Sequence, residues 1–114
     1  MANVSPYQAP LKDLKPGDRL SPMKFVLLYE ATDDVRAKVP LHIEAHRALW
    51  KQFRSAGELL MVGPFTDEPA GGAMGVFAAR DAAERFVNAD PFVSHGVVAT
   101  WTIREWNEVC WRHR

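Results

Sequence analysis

The order of apolar segments along this chain predicts an α+β fold, two helices on an antiparallel four-stranded sheet in the ferredoxin-like β-α-β-β-α-β arrangement. Three observations carry that expectation. Four short runs rich in branched and aromatic residues read as strands, and two stretches with helical apolar spacing read as helices. Gly, Pro or Asp punctuates most of the junctions between them. A length of 114 residues with 47% hydrophobic content suits one domain with one core.

Residues 1–22 hold Pro6, Pro10, Pro16 and Pro22 with little periodicity, and are expected to form an extended arm ahead of a domain over 23–114. MKFVLLY at 23–29 is the first strand, with Phe25, Leu27 and Tyr29 on one face and Val26 and Leu28 on the other. A polar loop over 31–38 leads to a helix from about Pro40, whose missing N–H costs nothing in a first turn, to Ala56 before Gly57. At about 100° per residue, Val39, His42, Ile43, His46, Leu49, Trp50 and Phe53 share one side of it. Glu44, Arg47, Lys51 and Arg54 take the other. ELLMV at 58–62, ended by Gly63-Pro64, is the second strand, and AMGVFA at 73–78 the third. A second helix over 81–89 presents Ala83, Phe86 and Val87, and Asp90-Pro91-Phe92 breaks it. Gly96–Trp106 is the last and longest strand.

In this topology right-handed crossovers put both helices on one sheet face. The open face of a lone sheet then carries polar residues at alternate positions. Here strand two sets Leu59 and Met61 against Leu60 and Val62, and strand four sets Val97, Ala99 and Trp101 against Val98 and Thr100. Strands this apolar on both faces need a second cover. The expected one is the same face of another copy, a two-fold homodimer closing a barrel.

Composition narrows the function classes. Lys+Arg and Asp+Glu balance at 14 each, and the third strand offers Phe77 but no Lys or Arg for base stacking, so no nucleic acid partner is expected. No apolar run approaches the roughly 20 residues of a membrane span, and no membrane partner is expected. The N-terminus has no secretory apolar region, and the lone Cys110 cannot form an internal disulfide, which points to the cytoplasm. Gly71-Gly72-Ala73-Met74-Gly75 precedes a strand rather than a helix, so it is no phosphate loop.

His46, on the apolar stripe of the first helix, has two readings: a core histidine with one satisfied nitrogen, or a general base. Burial would hold such a ring neutral and able to accept a proton. His42 lies four residues earlier on the same side, spacing that can ligate a metal. Glu44 stands third in the string rather than second, so the metalloprotease motif is absent, and His95 is the only other internal histidine; no metal is expected. Asp90 before Pro91 can cap a helical turn, or can orient His46. Tyr29, Arg36 and Asp67 sit near strand ends, where they can contact a substrate. Trp50, Trp101 and Trp106 read as core or interface, and Cys110 as inert.

The series MKFVLLYE, AHRALWKQFRSAGELLMVGPF, DAAERFVNADPFVSHGVV and WTIREW resembles the YCII-related (YciI-like) proteins over about Met23 to Trp106. The resemblance implies a dimeric α+β barrel with a recurrent His and Asp. Those fall on His46, eleven residues before Gly57, and on Asp90. The family's frequent Arg a few residues before that His is Ile43 here, so any anion-holding role would pass to Arg47 or Arg36. Dehydrochlorination of a chlorinated hydroxyquinol is one precedent that the resemblance brings. The expected function is therefore a cofactor-independent enzyme, dehydrochlorinase- or isomerase-like, acting on a small aromatic or carbonyl-bearing metabolite. His46 would be the base and Asp90 its orienting partner, with no cofactor. The alternative is a non-catalytic dimeric module that binds a small molecule or a protein.

Overall fold

Large apolar side chains at alternate positions make Met23–Ala31 the first strand (β1), which sends Leu27 and Tyr29 into the core. The computed structural model describes residues 23–67 and 71–110, so the expected arm over 1–22 lies outside the described residues. After β1 come α1 (Val35–Ser55), β2 (Leu59–Pro64), β3 (Ala73–Phe77), α2 (Arg80–Ala89), α3 (Pro91–Ser94) and β4 (Val98–Asn107). The sheet order is β2-β3-β1-β4, with every neighbouring pair antiparallel. This is the ferredoxin-like α+β fold, with a short extra helix at the Asp90 turn. Among the described residues, no helix is long and apolar enough to cross a membrane.

Of the boundaries that differ from the sequence reading, three have a clear physical reason. Helix α1 begins at Val35, five residues before Pro40, because Val35 and Val39 continue the apolar stripe of Ile43 by one further turn. Pro40 therefore sits inside the helix. The bond it cannot donate would go to the carbonyl of Arg36, an exposed residue whose carbonyl water can reach. Strand β2 runs through Gly63 and Pro64, which pairs with Ala73. A proline is tolerated there because β2 is an edge strand. Strand β4 starts two residues late, since Gly96, at φ 73°, ends the α3 turn and accepts a hydrogen bond from Lys38 Nζ at 3.2 Å. That contact ties the first turns of α1 to the entry of β4.

The core lies between the helices and the sheet. Phe86 of α2 meets Phe53 of α1 and Phe77 of β3 at 5.3 Å between ring centroids in each case. Ala82 and Ala83, both buried, let α2 approach the sheet closely. On the opposite face, register aligns Val26 with Val76 and Arg104, and Leu28 with Met74 and Thr102. Strand β1 is thus apolar on both faces, as expected, and so is β3, but β4 is not. Thr100, Thr102 and Arg104 face away from the helices because Trp101 and Ile103 pair with Tyr29 and Leu27 on the helix side.

Phe86→Ala should cost about 3–5 kcal/mol of folding stability, since it removes the ring at the centre of this cluster. Urea denaturation of the purified variant would measure it, and a loss below about 1 kcal/mol would mean the cluster collapses to fill the gap.

Candidate active site

The local chain around Asp90 is built to turn a carboxylate inward. Helix α2 ends at Ala89, Asp90 adopts an extended conformation, and Pro91 opens α3 at its first position. Asp90 Oδ1 accepts the N–H of Phe92 at 3.0 Å, so the residue caps its own turn. The same carboxylate is only 1% exposed and has two further partners from distant elements. The Tyr29 hydroxyl, from β1, donates to Oδ2 at 2.7 Å. Nδ1 of His46, from α1, lies 2.8 Å from Oδ1. Capping and histidine contact, alternatives at the sequence level, coexist.

Burial raises the Tyr29 pKa far above the usual tyrosine value, and the Asp90 charge and hydrogen bond add to the effect. The phenol therefore keeps its proton and serves Asp90 as a donor. His46 is confined by its neighbours as well. Its ring stacks on Phe92 at 3.8 Å with an interplanar angle of 6°, and Phe86 meets it edge-on at 6.2 Å. Among the described residues, nothing bonds Nε2.

His46 and Phe92 line a cavity of about 570 Å³ between α1 and the β2 side of the sheet. Its walls are mostly apolar, with Val39, Ile43, Trp50, Met61 and Phe65 among them. The charged side chains that reach its lining are Arg47 and Arg54, and no Asp or Glu of the described residues lines it. A histidine with one nitrogen on a buried carboxylate and the other unbonded at an apolar cavity has the parts of a proton-transfer site.

The other candidates separate clearly. Tyr29 joins His46 and Asp90, whereas Arg36 and Asp67 are exposed and do not line the cavity, because one faces outward on α1 and the other follows β2 into a loop. His42 stacks on His95 at 4.2 Å instead of facing the cavity. Among the described residues, no three His, Cys, Asp or Glu side chains gather in a way that could hold a metal ion. Sequence reasoning missed Phe92 and assigned Arg54 and Arg47 to the outer face of α1. The helical wheel held a signal for Arg54: eight residues from His46 brings it back to within about 80° of that side.

No protein of curated function matches the chain. Among solved structures, it is similar to 5-chloro-2-hydroxyhydroquinone dehydrochlorinase (TftG) from Burkholderia phenoliruptrix AC1100, solved in complex with 2,5-dihydroxybenzoquinone. The TM-score is 0.61 at 18% identity, over 73% of this chain and 92% of that one. NE2512, a protein of unknown function from Nitrosomonas europaea, superposes with a TM-score of 0.51 at 10% identity, covering 81% of this chain and 93% of its own. A conserved protein from Methanosarcina mazei Go1 gives 0.50 at 12% identity, over 75% and 91%. At such identities these likenesses speak for the fold. The YCII-related domain model matches residues 23–107, the whole of the described sheet and its helices, and the chain belongs to the YCII-related domain family.

Proposed function

We propose that the chain is an enzyme in which His46 moves a proton on a small molecule held in the cavity, oriented by Asp90. One observation carries the reading: Nδ1 of His46 meets a buried carboxylate at 2.8 Å, while Nε2 of the same cavity-lining ring has no partner among the described residues. The Tyr29 hydroxyl and the Phe92 N–H both donate to Asp90, so its oxygens act as acceptors. A third hydrogen bond from Nδ1–H fixes the neutral tautomer with its lone pair on Nε2. When Nε2 takes a proton, the imidazolium forms beside Asp90, which stabilises the positive charge.

Two reaction types fit such a base. In an elimination, the substrate proton passes to Nε2, the electron pair it leaves forms a new π bond, and the leaving group departs with its bonding pair. In an isomerisation, the same proton returns at another atom. The dehydrochlorinase of similar fold acts, by its name, on a chlorinated hydroxyhydroquinone, and that substrate class is a rational first probe. Tyr29, in this reading, holds Asp90 rather than touching substrate.

We also propose that two copies associate through the sheet face that carries Val26, Leu28, Met74 and Val76. A two-fold contact there would cover the half-buried Val26, Leu28 and Met74 around the already buried Val76, and leave the polar edge of β4 at the rim. Sedimentation at micromolar concentration should give a dimer; a stable monomer would contradict it.

Heteronuclear NMR of nitrogen-labelled histidine should show His46 protonated at Nδ1 in its neutral form. An Nε2–H tautomer would remove the base assignment whatever the substrate. With a chlorinated hydroxyhydroquinone, chloride release should fall about 100-fold or more in His46→Gln. Release at the wild-type rate in that variant would sink the mechanism, whereas no release above the uncatalysed rate with wild-type protein would remove this substrate class and elimination from it.

Tyr29→Phe should lose about 1–2 kcal/mol of stability near pH 8 by depriving Asp90 of a donor. The sign with pH follows from the raised phenol pKa. Above about pH 10 the unfolded chain releases the Tyr29 proton while the native chain keeps it, so the stability Tyr29 adds declines. The gap between wild type and variant in urea denaturation should narrow from about pH 8 to about pH 11. A gap that widens would mean the native phenol ionises first.

A further inference from the structure

The cavity has a chemical asymmetry that the proton-transfer reading does not use. Along the face of α1 that lines it, Val35, Val39 and Ile43 come first, then His46 and Trp50, and Arg54 last. One end of the wall is hydrocarbon and the other is cationic. Arg47 already has a carboxylate, Glu44 Oε2 at 3.0 Å. Arg54 has no hydrogen-bond or ion-pair partner among the described residues. Arg54 is an exposed residue that still reaches the cavity lining, and with no carboxylate in the described lining to oppose it, its charge sets a positive potential at that end of the cavity.

We propose that the cavity takes an aromatic carboxylate, its anionic end on Arg54 and its ring beside Trp50, so that the opposite end lies at His46. The proposal rests on the cavity being the substrate site, and it names the class of molecule bound there. Arg54 lies about 12 Å beyond His46 along the helix axis, and long helical side chains lean back toward the N-terminus, which shortens that span. The span fits a molecule of about two rings better than a single-ring acid. Trp50, one turn before Arg54, is half-buried and presents an aromatic surface between the two polar ends. A guanidinium and a carboxylate pair through two parallel hydrogen bonds, which gives orientation as well as attraction.

Calorimetric titration of the full chain with para-biphenylcarboxylate and with its neutral isostere, para-biphenylcarboxamide, tests this. The acid should bind roughly ten-fold or more tightly than the amide, and the advantage should shrink as salt is raised. Arg54→Gln should lower affinity for the acid by roughly the same ten-fold and leave the amide within about two-fold. Equal binding of the two probes, or no detectable binding of the acid, would overturn the proposal. So would an Arg54→Gln variant that loses thermal stability but binds the acid unchanged, which would make Arg54 only a cation at the end of its helix. His46→Gln keeps the cationic end and should still bind the acid. Loss of turnover in that variant with binding retained supports both readings. An acid that binds through Arg54 to a protein with no His46-dependent turnover would remove the catalytic reading alone.

Discussion

A carboxylate held out of water needs hydrogen-bond partners, and Asp90 draws its three from three separate elements. The Phe92 N–H belongs to α3, the hydroxyl of Tyr29 to β1, and Nδ1 of His46 to α1. Each bond offsets part of the cost of burying the charge, and each also fixes where an element may sit. If β1 shifts along the sheet, Tyr29 leaves; if α1 rotates, His46 leaves. The packing of the aromatic cluster agrees with these positions, since Phe86 belongs both to the core and to the surround of the His46 ring. Stability and site geometry are thereby coupled through one side chain.

The cavity follows from a mismatch of lengths. Helix α1 has 21 residues, so it runs about 30 Å. The six residues of β2 span about 20 Å at most. A long helix over a short edge strand cannot be covered along its whole length, and the uncovered stretch carries Val35, Val39 and Ile43. Met61 and Val62 remain largely exposed on the strand side. Space beside His46 is thus a product of the fold's proportions rather than of a missing side chain.

Much of this architecture was legible in the residues. Period-two alternation in MKFVLLY puts Leu27 and Tyr29 on the helix side, and helical spacing puts His46 on the inner stripe of α1. What could not be read was the meeting of Tyr29 and Asp90 across 61 residues, which depends on how α3 folds back. A local rule also misled at one place. Pro40 looked like a first-turn residue because proline is favoured there, yet the valines before it extended the helix past it. Arg54 is exposed, as its charge suggested, and what the residues did not show is that it also reaches the cavity lining. The two-sided apolarity of strand four was overread, since pairing with β1 decides which of its residues point where.

The separations between the partners of Asp90 carry a consequence for the order of assembly. Tyr29 and His46 lie 61 and 44 residues before it, and β1 finds its outer neighbour only in the last strand. Contacts so distant in sequence close late and slow the folding of the chain. During synthesis the imidazole is made long before its carboxylate, so a nascent or truncated chain carries His46 as an ordinary, freely rotating histidine. The imidazole meets its carboxylate only after the chain has been made through Asp90 and α1 has packed against the turn that carries it.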